Sequence, residues 1–351
     1  MEAPPMADMN TGLLKRLCEA DGVSGREDGI VAILEEELTP VSDEVKVDAM
    51  KNITAIRRGS PGARRVMLAG HIDEIGFLVF NMDDDGYLSL APIGGWAAEN
   101  MIGHRVRIHT RKSGMVPGVV QRRAAWLPEH SNRQLRLDEL YVDTGMKREE
   151  AAAKISRGDW VSMATPFSEL GDCFLAKAFD DRIGVFVMME AFRRYANPAI
   201  EVAAVGTAQE EVGLRGSTVA AQEVRPEIAI ALDITGSGDV PEFPARLRIA
   251  KLGDGVAIKY MDGSVISSPE LVDFVRDLAE EKGIDHQMEI LLAGGTDTAS
   301  IQKWGAGPHV ICLSIPTRYG HGPGAVIHRH DVETAIELLT EVLNRIHLFE
   351  P

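Results

Sequence analysis

Glu210 and Glu211 stand side by side in the run Val202-Ala-Ala-Val-Gly-Thr-Ala-Gln-Glu-Glu-Val-Gly-Leu-Arg-Gly216. An apolar, β-branched stretch precedes them and glycines follow, so they fall where a buried strand turns. Two acids at the end of a buried strand are costly unless positive charge holds them. A metal ion beside a general base would supply that charge. Other polar residues fall at similar places. His71 and Asp73 follow a short strand ending at Gly70. Asp233 closes the apolar run Ile228-Ala-Ile-Ala-Leu232. His321 comes soon after a strand ending at Ile315, and Asp180 opens a helix in Lys177-Ala-Phe-Asp-Asp-Arg-Ile-Gly184. In open α/β sheets ligands gather at the carboxyl ends of the strands, so these side chains can converge on one rim.

Taken singly, each residue has a plainer reading. A His-x-Asp is more often a surface histidine paired with a carboxylate. An Asp-Asp-Arg is more often a helix cap with a salt bridge. Five such accidents at five element ends are a poorer explanation than one site. Imidazole and carboxylate together suit zinc, cobalt or manganese. Two ions about 3.5–4 Å apart, sharing a carboxylate, make a hydrolytic site that acidifies water and polarises a carbonyl. A carboxylate left free of metal then takes the proton. The scheme needs five ligands and one free acid, and the sequence offers His71, Asp180, Glu211, Asp233 and His321, with Glu210 besides.

The elements that would position these groups can be read from the pattern. Ser24 and Glu27 have capping-box spacing and predict a helix with Ile30, Leu34 and Leu38 on one face. The region 180–195 reads as a helix closed by Asn197-Pro198. Apolar runs at 65–70, 200–207, 227–234 and 309–315 read as strands. Ser268-Pro269 predicts a capped helix start, with Gly283 closing that helix. The region 331–348 reads as a long amphipathic helix with Ala335, Leu339, Val342 and Ile346 inward. Strand–helix alternation argues for an α/β domain with a parallel or mixed sheet. Between about 75 and 163 helical periodicity weakens and glycines and prolines punctuate short strands at 87–90, 105–110 and 115–121. This block reads as a β-rich insertion.

Composition narrows the function. A chain of 351 residues, 45% hydrophobic, is long enough for two domains. Its 37 basic and 53 acidic residues give a net charge of −16, which argues against nucleic acid or an anionic membrane as partner. Cys18, Cys173 and Cys312 are too far apart for a CxxC site and odd in number, so no disulfide framework is expected and a reducing cytoplasm fits. The start, Met1-Glu-Ala-Pro-Pro-Met-Ala-Asp-Met9, has neither the basic nor the apolar region of a signal peptide. No apolar run approaches the ~20 residues of a membrane span.

Five motifs together are specific: Gly70-His-Ile-Asp-Glu-Ile-Gly76, Lys177-Ala-Phe-Asp-Asp-Arg-Ile-Gly184, Gln209-Glu-Glu-Val-Gly-Leu-Arg-Gly216, Ala231-Leu-Asp-Ile-Thr235 and Ile315-Pro-Thr-Arg-Tyr-Gly-His321. Through them, and through Leu13–Gly25 and Gly294-Gly-Thr-Asp297, almost the whole chain resembles the tetrahedral aminopeptidases of peptidase family 42, which include glutamyl, leucyl and deblocking enzymes. The resemblance implies a phosphopeptidase-like α/β fold, with a mixed-sheet catalytic domain (1–74 and 164–351) carrying helices on both faces. A smaller β-barrel-like or PDZ-like domain (75–163) would be inserted in it. It implies two divalent ions per subunit, zinc or cobalt first and manganese also suitable. His71 and Asp233 would hold one, Glu211 and His321 the other, and Asp180 would bridge them, with a cis peptide often following it in relatives. Glu210 would be the general base and later the proton donor, and Asp73 would orient His71. The implied substrates are short peptides with a free N-terminus. The implied assembly is a homo-oligomer, either a dimer or a hollow tetrahedral dodecamer.

The chain also departs from the family. The segment after Gly118-Val-Val120 reads Gln121-Arg-Arg-Ala-Ala-Trp-Leu-Pro128 where relatives carry Pro-Pro-His. His321 is flanked by Gly320 and Gly322, and Lys51 stands where a glycine is usual. Trp126 reads as a loop tip or an interface anchor. His104, His109, His130, His286, His309, His328, His330 and His347 lie outside the motifs and read as structural. Two other functions fit the same residues. One is a metal-dependent hydrolase of acylated amino acids, amino sugars or glucans. The other is a peptide-binding assembly protein with a dead site.

Overall fold

The computed structural model describes residues 9–122 and 134–351; Trp126 and His130 lie outside the described residues, as does most of the stretch before Met9. The centre of the large mixed sheet is parallel, in the order Ile200–Thr207, Arg64–His71, Ile228–Gly236 and His309–Arg318. All four strands are nearly continuous apolar runs, as strands buried on both faces must be. Antiparallel strands extend the sheet on both sides. Ile53–Arg57 and Glu44–Val47 add to one side, and Ala325–His328, Cys173–Ala176 and Ser168–Leu170 to the other. Val256–Met261 pairs antiparallel with His309–Arg318 and parallel with His286–Ile290.

Period-two alternation divides the central strands between two cores. On one face Val66, Leu68, Val202, Ile230 and Leu313 pack under the helices Thr11–Glu19, Asp28–Leu38, Phe179–Arg194, Pro269–Lys282 and Arg329–Arg345. On the other, Met67, Ala69, Ala203, Val205 and Val310 pack against Arg215–Val224 and Thr298–Ile301. The mixed sheet with helices on both faces is thus the expected fold. Because the central strands run the same way, His71, Thr207, Asp233 and Arg318 all emerge at one edge, with Thr207 in register with His71 and Asp233 with Ser314.

Among the described residues between Gly76 and Met163, six strands close into a barrel. It has its own core, which includes Phe77, Val106, Ile108, Val120, Val142 and Val161. One α-helix, Arg148–Lys154, also lies among the described residues of this β-rich stretch. Asp21 ties the barrel to the sheet domain. Its carboxylate accepts from Arg107 at 2.8 Å and from the Ser162 hydroxyl at 2.9 Å, lies 3.3 Å from His109 Nε2, and lies 3.3 Å from the Lys177 ammonium.

Several local expectations are corrected. Ser24 caps no helix: its hydroxyl donates to Asp73 at 2.6 Å, and the Glu27 carboxylate accepts from the Gly25 amide. A distant acid outcompetes the local cap. The helix expected to start at Asp180 has non-helical dihedrals at Asp180 and Asp181, and the peptide between them is cis. Ser268 occupies the N-cap position, but its hydroxyl accepts from Val310 N on a neighbouring strand. Lys51 adopts a positive φ of 76°, which explains why a glycine suits that position. The last helix gives way at Ile346 to a short 3-10 turn, with its four predicted inward residues fully buried.

Candidate functional site

The turn after Thr207 is built from backbone bonds and one asparagine. Gln209 has a positive φ, and the amides of Gly213 and Leu214 donate to Glu210 O. Asn52 clamps the base of the turn, accepting from Ala208 N at 2.8 Å and donating to Gly216 O at 3.1 Å. The close approach leaves no room for a side chain at Gly216, where a Cβ would lie 2.3 Å from Ala208 O. Glu210 and Glu211 therefore project from a fixed loop.

His71, Asp180 and Asp233 present ligand atoms within 4.8 Å of one another, and so do Asp180, Glu211 and His321. Asp180 belongs to both groups. Its Oδ1 lies 3.0 Å from His71 Nε2 and its Oδ2 lies 3.3 Å from His321 Nε2. Glu210 belongs to neither group, although its Oε2 stands 4.0 Å from His71 Nε2. The structure thus brings all five predicted ligands and the free acid together.

The surrounding residues fix this set. His71 Nδ1 lies 3.1 Å from the backbone carbonyl of Asp73 and 3.5 Å from its carboxylate. The Asp73 carboxylate accepts from Glu210 N at 2.9 Å and Glu211 N at 3.2 Å. Asp73 therefore reaches His71 chiefly through its backbone, and its side chain holds the Glu210–Glu211 turn. His321, half exposed, has its Nδ1 3.1 Å from Gly95 O, a carbonyl supplied from beyond the sheet domain. Both Tyr319 and His321 have positive φ.

Electrostatics make the cluster short of positive charge. Burial raises the Glu210 and Glu211 carboxyls well above the usual range, and the neighbouring acids add to it. Burial and the charge of Asp180 push Asp233 to about 7. Burial works against the His71 cation, yet the charge of Glu210 and the bond to Asp180 outweigh it and hold the imidazole well above its ordinary value. Asp180 stays below its usual value: burial opposes the charge, but the bond to His71 prevails. Buried acids that crowd one another in this way are matched by divalent cations. Among the described residues the buried Glu211 Oε1 has no hydrogen-bond partner, which leaves it free as a donor atom. The donor set of imidazole nitrogens and carboxylate oxygens fits such ions.

Sequence reasoning missed several residues. Asp181 is fully buried, accepting from Gly184 N at 3.0 Å and from His71 N at 3.1 Å. Glu74 takes the Lys177 ammonium at 2.7 Å and Gly22 N at 2.9 Å, locking the exit of the His71 strand to the approach to Asp180. Lys259 and Glu289 form another buried pair at 2.8 Å. A lone charge in an apolar strand, Ala257-Ile-Lys-Tyr260, was the available signal for Lys259. Of the histidines outside the motifs, His109 stacks on Trp160, His330 pairs with Asp285, and His347 bonds Asn197. Arg318 pairs through two bonds with Asp239, and Arg215 donates to Val212 O. The three cysteines are free thiols.

Comparison with known proteins identifies a family. The family described as M42 glutamyl aminopeptidase matches residues 51–338. The lysyl aminopeptidase of Pyrococcus furiosus is 34% identical, over 95% of this chain and 96% of the relative. The solved structure of a TET aminopeptidase from a marine sediment archaeon of the Thaumarchaeota is similar with a TM-score of 0.92 at 36% identity, covering 96% of each chain. The TET1 peptidase of Pyrococcus horikoshii is described as assembling into a tetrahedron or a large octahedral shell. It is similar with a TM-score of 0.83 at 29% identity, over 95% of this chain and 98% of that one.

Proposed function

The chain belongs to the M42 aminopeptidase family, and on that premise we propose that it removes N-terminal residues from short peptides with two divalent ions, Glu210 moving the proton. The observation that carries this reading is the pair of donor triads sharing Asp180, with Glu210 beside them and in neither. In this reading His71 and Asp233 would hold one ion and Glu211 and His321 the other, with Asp180 available to both. Zinc or cobalt suits the mixed donors best, and manganese also fits. The chemistry such ions supply is Lewis acidity toward water and toward the scissile carbonyl.

The rest falls to the chain's own side chains. Glu210 takes a proton from the attacking water and returns it to the departing amine. Its place beside both donor groups and in neither, with Oε2 4.0 Å from His71 Nε2, suits it to both directions of transfer. Asp73 keeps the Glu210 and Glu211 amides, and so their side chains, at fixed height above His71. The residues 75–163 act as a separate domain that borders the site at Gly95. The homo-oligomer, dimer or tetrahedral dodecamer, is carried over from the assembling relatives, and the cytoplasm is the compartment the free thiols suit. No helix among the described residues is long and apolar enough to cross a membrane.

Glu210→Gln tests the reading. It should keep both ions, measured by elemental analysis, and lose about 10³-fold in kcat on aminoacyl anilides. Turnover at the wild-type rate would remove Glu210 from the mechanism. Fewer than two ions per chain in the reloaded wild type would sink the dinuclear scheme.

A further inference from the structure

Beside the catalytic cluster lies a cavity of about 390 Å³, one wall of which is made by His71, Asp180, Glu210 and Asp233. The other walls come from the end of the Asp233 strand, the 291–296 loop and the 319–321 loop, and they include Lys259. A lysine in a substrate pocket ordinarily invites an acidic side chain. Here the ammonium is already claimed. Lys259 Nζ lies 2.8 Å from Glu289 Oε1 and 3.8 Å from Asp262 Oδ2, and all three side chains are fully buried. Glu289 does not line the cavity; it sits behind Lys259, in register with it on the adjacent parallel strand. Arg318, close to the cavity mouth beside Tyr319, is likewise taken, by Asp239. Outside the catalytic cluster, the described lining therefore offers no unpaired charge. What remains is uncharged: Ile234, Leu291, Ala293 and glycines, with the hydroxyl residues Thr235, Ser237 and Tyr319 among them.

From this we propose that the cavity selects peptides whose N-terminal residue carries a neutral side chain, and that the Lys259–Glu289 pair sets this selection by leaving the pocket outside the catalytic cluster without net charge. The inference rests on the aminopeptidase reading above, in which the first side chain sits beside the catalytic cluster. An acidic first residue would bring a third carboxylate to a lysine that already has two. A basic one would surrender its hydration without finding an unclaimed acid outside the ion-binding set. A neutral one brings no charge to desolvate and buries its apolar surface. The selection thus differs from the glutamyl preference in the family's description and from the lysyl preference of the Pyrococcus furiosus relative.

The test is a panel of leucyl, methionyl, glutamyl and lysyl 4-nitroanilides on the ion-loaded wild type. Leucyl or methionyl kcat/KM should exceed the glutamyl and lysyl values by about 100-fold. Glu289→Gln, which leaves Lys259 unbalanced, should raise the glutamyl value about tenfold and lower the leucyl one, with no gain for lysyl. Because that variant can fail to fold, calorimetric binding of free leucine, glutamate and lysine to the wild type provides a second readout, with leucine expected to bind tightest. A glutamyl or lysyl substrate cleaved as well as leucyl, or glutamate or lysine binding as tightly as leucine, overturns the proposal. Absence of turnover on every substrate would count against the peptide-hydrolysing reading instead, and the calorimetric order would still decide the selection.

Discussion

The Asp73 carboxylate accepts from two successive backbone amides and from the Ser24 hydroxyl while buried beside His71. Burial opposes its charge, but the bond from His71 holds its carboxyl below the ordinary range. In the proposed reading it is a positioning residue, acting through the turn that carries Glu210 and Glu211. Asp73→Asn replaces one acceptor oxygen by a donor and leaves an amide unpaired. Activity should fall about 10–100-fold with a matching loss in ion affinity, read from kcat and from competition with a chelator dye. Unchanged ion affinity would confine Asp73 to the proton step. The donors were legible because an acid or histidine at the end of a buried strand has few cheaper explanations. Asp181 was not. It sits next to Asp180, and only the backbone turn decides that one carboxylate faces the ligand cluster while the other accepts from His71 N and Gly184 N.

At the scale of elements, the central parallel strands were readable because burial on both faces demands unbroken apolar runs. The edge strands Glu44–Val47 and His286–Ile290 were not, since each is short and half polar and is held by its neighbour more than by its own pattern. The cap expected at Ser24 failed for a related reason: a residue 49 positions away offered a stronger acceptor. The turn after Thr207 makes a test at this scale. Gly216→Ala would press a Cβ against Ala208 O and Asn52 Oδ1 and should cost about 1–3 kcal/mol, measured by the denaturation midpoint, with activity falling as Glu210 shifts. The joint at Asp21 makes another. Burial opposes its charge, but the bonds from His109 and Ser162 and the charges of Lys177 and Arg107 hold its carboxyl below the ordinary range. A lowered folded pKa gives stability that is complete above the unfolded value of about 3.9 and is lost as pH falls below it. Asp21→Asn should therefore cost about 3 kcal/mol at pH 7, and the gap from wild type should narrow below about pH 4. A gap independent of pH would mean that Asp21 contributes only shape.

For the whole molecule, ion binding and folding are linked because the donors come from strands and loops spread from His71 to His321. Stripping the ions should lower the melting temperature, and reloading at about 100 times the dissociation constant should restore about 2.7 kcal/mol. An unchanged melting temperature would mean that the donors do not grip an ion. The Gly95 carbonyl beside His321 extends that linkage further. Gly94, which has a positive φ, and Gly95 lie in a barrel loop pressed against Ile75, Glu211 and His321, and Trp96 bonds the carbonyls of Gly76 and Ile93 to hold it. A donor imidazole is thus steadied by a part of the chain that belongs to a different core. If His321 holds an ion as proposed, thermodynamic reciprocity applies: whatever displaces the barrel would alter the grip on that ion, and the ion would resist the displacement by the same factor. Contacts made far away on the barrel's outer wall would in that case act as a dial on the chemistry without touching the substrate.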